Sequence, residues 1–181
     1  TTLDRNLLFM GINTINEKAH NYASEKHRAV NHHYDEYPYE FHLQMVVNAA
    51  EQFLHLIPKE AQHNVLAGCW VHDVIEDARE TYNDVKKALN EDIAELAYAL
   101  TNDKGKTRSE RAGDAYYAGI RNTPYATFIK LCDRIANVTH SKNTGSRMFA
   151  MYSKENPAFI DKLYDEKYGE VIQHLEDLLK E

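Results

Sequence analysis

The sequence predicts an all-α protein, a compact helical bundle, and two observations carry that reading. Only four prolines and seven glycines punctuate 181 residues, and Pro38, Pro58, Pro124 and Pro157 fall where helical patterns break. Between them, apolar residues recur at three- and four-residue steps, the spacing of one face of a helix. At this length one domain with a sizeable core is expected, and no shift in composition suggests two.

In order along the chain, residues 3 to 29 carry Leu7, Leu8, Ile12, Ile15, Ala19, Tyr22 and Ala23 in helical register and read as a long first helix. Residues 30 to 38 read as a loop. A second helix is expected from Tyr39 to about Leu56, with Phe41, Met45, Val46, Ala49, Ala50 and Phe53 on its apolar side and Pro58 after its end. A third should run from near Lys59 into the segment HDVIED. A short helix from Tyr82 to Leu89 has Thr81 as its N-cap and Asp84 three residues on. Residues 91 to 101 open with two acids, which suit a helix N-terminus, and continue with Ile93, Leu96, Ala97 and Leu100. NDKGKTR reads as a loop, SERAGDAYYAGIRN as a sixth helix, and the stretch from Pro124 to Lys142 as a seventh that Pro124 opens. From about Met148 the last segment is expected to break at Pro157 and to resume as a closing amphipathic helix to Leu179.

Composition excludes several functional classes. A net charge of −7 argues against a general nucleic-acid surface, which relies on clustered Lys and Arg. No stretch approaches the roughly 18 apolar residues of a membrane span, and the N-terminus lacks a basic start followed by a long apolar run, so a cytoplasmic protein is expected. Cys69 and Cys132 sit in apolar segments without CxxC spacing and read as reduced core residues. His20, His55, His63 and His174 fall in polar helical positions and read as fillers.

The chemistry concentrates in residues 65 to 77, VLAGCWVHDVIED. On a continuous helix, His72 would stack on Glu76 and Asp73 on Asp77, placing four ionisable groups on one face. The alternative is a polar helix end emerging into solvent, but the apolar flank from Val65 to Val71 favours a buried central helix. An imidazole and three carboxylates are costly to bury unless a cation compensates. Asp133 poses the same problem within Phe128, Ile129, Leu131, Cys132, Ile135 and Ala136; a salt bridge to Lys130 or Arg134 is the plainer solution there. His42, beside Phe41 and Leu43, taken alone reads as a hydrogen-bonded core histidine. Together, His42, His72, Asp73 and Asp133 offer two imidazoles and two carboxylates from three helices. Such a mixed set suits Mn²⁺, Fe²⁺ or Zn²⁺ better than Mg²⁺. Glu76 and Asp77, one turn further, are placed to orient a water or shuttle its proton. The basic run KGKTRSER, with Lys104, Lys106, Arg108 and Arg111, is either a solvated loop or a local counter-charge for a phosphorylated ligand.

The order H…HD…D resembles the HD-domain metal-dependent phosphohydrolases. Its finer pattern is similar to their RelA/SpoT-type alarmone hydrolase branch, especially the small stand-alone hydrolases. The stretches that carry the resemblance are YPYEFH ending at His42, HDVIED at 72 to 77, ALTNDK at 99 to 104 and KLCDRIANV at 130 to 138. The resemblance implies a helical HD-domain bundle that binds one Mn²⁺. It implies hydrolysis of the 3′-pyrophosphate of guanosine 3′,5′-bisdiphosphate (ppGpp) or pppGpp to GDP or GTP and pyrophosphate. The metal roles fall on His42, His72, Asp73 and Asp133, and the catalytic acidic pair on Glu76 and Asp77. Tyr39, Arg134 and Asn137 match positions that line the nucleotide pocket. Where the family has a basic Arg-Lys pair, this chain offers His33 and Tyr34, with Arg28 or Lys26 as substitutes from the first helix. Where the family has a threonine after the pocket asparagine, it has His140. Within this reading no synthetase or regulatory region is expected after residue 145, the substrate is a small anionic nucleotide, and no protein partner is implied. The competing readings are an HD phosphohydrolase of another nucleotide, such as an adenine alarmone, a nucleoside monophosphate or a phosphorylated dinucleotide, and a metal-binding interaction module without activity.

Overall fold

The computed structural model describes the backbone of residues 2–102 and 105–180 and the side chains from residue 14 onward within them. The side chains of Leu7, Leu8 and Ile12, and Lys104 of the basic run, lie outside the described residues.

The architecture is helical, as the spacing predicts: α1 (Thr2–Ala29), α2 (Glu40–Gln52), α3 (Gln62–Val71), α4 (Val74–Asp77), α5 (Tyr82–Ala88), α6 (Glu91–Ala99), α7 (Arg108–Arg111), α8 (Asp114–Asn122), α9 (Ala126–Thr144), α10 (Met148–Leu163) and α11 (Gly169–Leu179). Among the described residues no helix is long and apolar enough to cross a membrane. Helix α3 is the hub, lying against α1, α2, α6 and α9, and Val65 through Val71 are all buried. Gly68 allows that closeness, because a Cβ there would come within 2.9 Å of both Ile129 and Leu96. Helix α9 packs in turn on α2, α10 and α11.

Several boundaries depart from the sequence expectation. The segment read as a loop holds a two-residue hairpin, β1 (His33–Tyr34) and β2 (Tyr37–Pro38), with Tyr34 opposite Tyr37. It is launched by a left-handed Asn31 (φ 54°): the amides of Asn31 and His32 close back on the carbonyls of Arg28 and His27, ending α1 cleanly. Helix α2 stops at Gln52, and a 3₁₀ turn (Leu54–Leu56) replaces its expected last turn. The third helix begins at Gln62 after another 3₁₀ turn and breaks at His72 and Asp73. The sixth predicted helix is two, because Gly113 is extended (ψ 177°) and caps α8. Pro124 does not open α9. It holds Thr123 extended, and a left-handed Tyr125 (φ 71°) then precedes the first helical residue, Ala126.

Pro157 does not break its helix, since α10 runs through it to Leu163. The ring is exposed, so the hydrogen bond it deletes is the one to the Ser153 carbonyl on the solvent side, where water can serve it. The chain turns instead at Tyr164 to Tyr168, where Asp165 accepts a capping bond from the Lys167 amide. The short helix α5 forms as expected, Thr81 and Asp84 exchanging reciprocal capping bonds. Cys69 and Cys132 are free and buried. Of the four filler histidines none is buried, and His20 stacks on Trp70 at 4.2 Å.

Candidate metal and phosphate site

The centre of the molecule is the break between α3 and α4. On a regular helix, consecutive side chains diverge by about 100° and cannot meet at one point. Here Asp73 leaves helical geometry (φ −109°, ψ 2°), in a region where active-site residues often sit. His72 and Asp73 thereby converge, with the His72 Nε2 3.0 Å from Asp73 Oδ2. His42 arrives from the first turn of α2 and Asp133 from the middle of α9. Asp133 Oδ1 lies 2.8 Å from His42 Nε2 and 3.2 Å from His72 Nε2. The ligand atoms of these four residues lie within 4.8 Å of one another, a set that could hold a divalent cation.

The donor chemistry fits such a cation. His72 Nδ1 lies 2.8 Å from the Cys69 carbonyl, which can only accept, so Nδ1 carries the hydrogen. In a neutral ring Nε2 is then a bare lone pair facing two carboxylate oxygens, a repulsive arrangement that a proton or a metal resolves. Burial alone would lower the His72 pKa, but the charge of Asp73 and the bonds to Asp133 and Asp73 override it and hold it well above the ordinary histidine value. Burial would likewise raise Asp133, yet the bonds from His42 and His72 hold it well below the carboxylate range. Lys130 Nζ approaches Asp133 Oδ2 at 3.7 Å, so the salt bridge and the cluster coexist on the two oxygens of one carboxylate.

Asp73, Glu76 and Asp77 form a second acidic group with oxygens within 4.8 Å of one another. The separate turn α4, not a continuous helix, places the pair, and the Asp77 amide still bonds the Asp73 carbonyl at 2.9 Å. Glu76 Oε1 accepts from the Asn102 amide at 2.8 Å. Protein crowding on one side, then the charges of Asp73 and Glu76, push the Asp77 carboxyl up to about 7. Crowding and Asp73 raise Glu76 as well. A carboxyl that titrates near neutrality can both take and give a proton.

Beside the cluster lies a cleft of about 410 Å³ whose wall includes Asn102, Arg108, Arg111, Lys130, Arg134 and Lys162. Arg108 and Arg111 of the basic run therefore line this cleft, whereas Lys106 is exposed and not on its wall, and this cationic surface belongs to a chain of net charge −7. Arg134 is backed by Phe159, whose ring centroid lies 3.9 Å from the guanidinium carbon. It pairs with Glu155 at 3.3 Å and not with Asp133.

The hairpin packs over the His42 side of the cluster. The Tyr34 ring lies over His42 (4.6 Å, 22°), and its hydroxyl donates to Asn137 Oδ1 at 2.8 Å. Asp35, in left-handed geometry, meets His140 Nε2 at 2.6 Å, so His140 fastens the hairpin to α9. Other residues singled out in the sequence are engaged elsewhere. Tyr39 is buried and spends its hydroxyl on Asp73. Arg28 pairs with Glu40 and lines a separate depression with His20, Asn21, Ser24 and Glu25. His33 is exposed and bonds the Asn31 carbonyl. The residues that sequence reasoning passed over are Glu155 and Lys162, which lie on α10 in no recognisable motif. It also passed over His27 and His32, whose Nδ1 atoms meet at 2.9 Å beneath Tyr39.

No protein-family model matches the chain. It is 31% identical over 74 residues to the guanosine-3′,5′-bis(diphosphate) 3′-pyrophosphohydrolase MESH1 of Drosophila melanogaster, a match covering 41% of each protein. It is 31% identical over 127 residues to the guanosine-3′,5′-bis(diphosphate) 3′-pyrophosphohydrolase of Aquifex aeolicus, covering 67% of this chain and 17% of that protein. The matches thus span about two-fifths of the first relative and less of the second. A solved structure, that of a metazoan orthologue of SpoT that hydrolyses ppGpp and plays a role in starvation responses, superposes with a TM-score of 0.72 at 23% identity, covering 91% of this chain and 93% of the other. In fold over nearly its whole length, and in sequence over these stretches, the chain is similar to the ppGpp 3′-pyrophosphohydrolase branch of the HD-domain hydrolases that its motifs resemble.

Proposed function

We propose that this chain is a divalent-metal-dependent hydrolase that removes the 3′-pyrophosphate of ppGpp or pppGpp, leaving GDP or GTP. The observation that carries the reading is a two-histidine, two-aspartate cluster set beside both a pair of carboxyls and a cationic cleft. His42, His72, Asp73 and Asp133 would hold the ion, and the mixed nitrogen and oxygen set favours Mn²⁺, with Fe²⁺ or Zn²⁺ also suited. When bound, such an ion lowers the pKa of water and polarises a phosphoryl oxygen.

The chain's own residues do the rest. The Cys69 carbonyl fixes the His72 tautomer and so aims its Nε2. Glu76, one oxygen pinned by the Asn102 amide, keeps the other for the proton of the attacking water. Asp77, titrating near neutrality, accepts that proton or returns it to the departing 3′-oxygen of the nucleoside. Arg111, Lys130 and Lys162 hold the phosphates against the protein's negative field, and Arg108 and Arg134, paired with Glu155, add positive charge to the same cleft. Tyr34 and Asn137 form the wall against which the nucleoside rests.

Incubating the purified chain with ppGpp and Mn²⁺ tests this. GDP and pyrophosphate in equal amounts are expected, and a chelator should stop their appearance. Release of single phosphates, or cleavage of other nucleotides but not ppGpp, would replace the reading with a different phosphohydrolase.

A further inference from the structure

Among the described residues that line the cationic cleft, one is an acid. Glu155, on α10, receives two bonds from Arg108, Nε to Oε1 at 2.8 Å and a terminal guanidinium nitrogen to Oε2 at 3.2 Å, and one from Arg134 to Oε2 at 3.3 Å. A carboxylate gripped by two guanidinium groups occupies the kind of place a phosphate group takes, since both anions match the arginine fork. Arg134 is backed by Phe159 and Tyr152, so its guanidinium is held where it stands. Burial works against the charge on Glu155, yet the Arg108 bonds and the charges of both arginines keep its carboxyl below the usual range. Arg111 and Lys162, on the same wall, make no ion pair among the described residues.

We propose that Glu155 limits how many phosphates the cleft accepts, standing in for one phosphate between Arg108 and Arg134 and so making this chain favour shorter phosphate chains over longer ones. The inference rests on the reading of the cleft as the substrate's phosphate site. A short chain reaches Arg111, Lys130 and Lys162 without disturbing Glu155. One more phosphate must either displace the carboxylate from both arginines or lie against its negative charge. Glu155 is thus a specificity-determining residue, and the nucleotides it favours carry a diphosphate in the cleft and not a triphosphate.

The test uses the whole metal-free chain, with inorganic pyrophosphate and tripolyphosphate as probes and binding followed by calorimetry. Wild type should bind tripolyphosphate no more tightly than pyrophosphate. Glu155→Gln keeps the side chain's size but removes its charge, and should gain about fivefold or more for tripolyphosphate relative to pyrophosphate. Glu155→Asp, which keeps the charge on a shorter stem, should retain the wild-type ratio. Equal changes for both probes in Glu155→Gln, the same shift in Glu155→Asp, or no binding of either probe to wild type would each overturn the proposal. Because binding is read without turnover, failure to cleave ppGpp would count against the proposed activity and leave this result standing. If ppGpp is cleaved, the ratio of kcat/KM for pppGpp to that for ppGpp should rise in Glu155→Gln.

Discussion

The hydroxyl of Tyr39 donates its hydrogen bond to Oδ2 of Asp73, from a ring only 9% exposed. A tyrosine so placed orients the carboxylate of a proposed metal ligand. Outer partners of metal ligands typically contribute 10- to 100-fold in affinity. Tyr39→Phe is therefore expected to weaken Mn²⁺ binding by about that factor while the far-ultraviolet helical signal stays unchanged. Metal titration of the two proteins checks it, and equal affinities would show that Asp73 needs no such support.

The four candidate ligands come from α2, α9 and the end of α3, so a bound ion ties together elements far apart in sequence. Binding to the folded chain alone at a hundredfold excess over Kd stabilises by about 2.7 kcal/mol. For a chain of this size that corresponds to a rise of roughly 5–10 °C in the melting midpoint. Thermal melts with and without Mn²⁺ should show that rise, and His42→Ala should abolish it.

Ligand and proton-transfer roles separate under two isosteric changes. Asp73→Asn should lose most of its metal and nearly all activity. Glu76→Gln should keep its metal and lose activity by about 10²-fold or more. Metal content measured alongside turnover distinguishes them, and loss of metal from Glu76→Gln would make Glu76 a ligand.

His27 provides a pH dependence outside the cluster. Burial lowers its pKa from 6.5 to about 4, against the opposing charge of Asp73. Between those values the unfolded chain binds a proton that the folded chain refuses, so stability is complete above about 6.5 and falls as the pH drops toward 4. Urea unfolding of the metal-free protein should become easier across that window. His27→Phe, which keeps a ring against Tyr39, should flatten the slope, whereas an unchanged slope would assign the dependence to other groups.

The hairpin wall bears on the choice of base. Tyr34 presents a stacking surface and an engaged hydroxyl where the family resemblance implies a basic pair. Stacking separates purines poorly because both present a π face. The chain is expected to favour guanosine 3′,5′-bisdiphosphate over its adenosine counterpart by less than about tenfold in kcat/KM, the factor that 1.4 kcal/mol would provide. A preference of several hundredfold would point to a base-specific hydrogen-bonding group.

The sequence by itself determined the helical class, because apolar spacing is a local signal that packing had only to ratify. It gave α5 its N-terminus, since Thr81 and Asp84 satisfy each other within one turn. It also singled out His42, His72, Asp73 and Asp133, because ionisable residues inside apolar runs demand compensation wherever the run is buried. Only the tertiary structure decided how they meet. His42 and Asp133 lie 91 positions apart and touch at 2.8 Å because α2 and α9 pack together. The break that converges His72 and Asp73 has no local signature, since neither proline nor glycine marks it; its geometry exists only beside the partners on α2 and α9. Pro157 shows the converse, a strong local signal made harmless by lying on the solvent face. Glu155 carries no motif at all. It enters the cleft because α10 packs on α9 and brings its carboxylate to Arg134, and a contact that depends on two helices docking is written in neither helix alone.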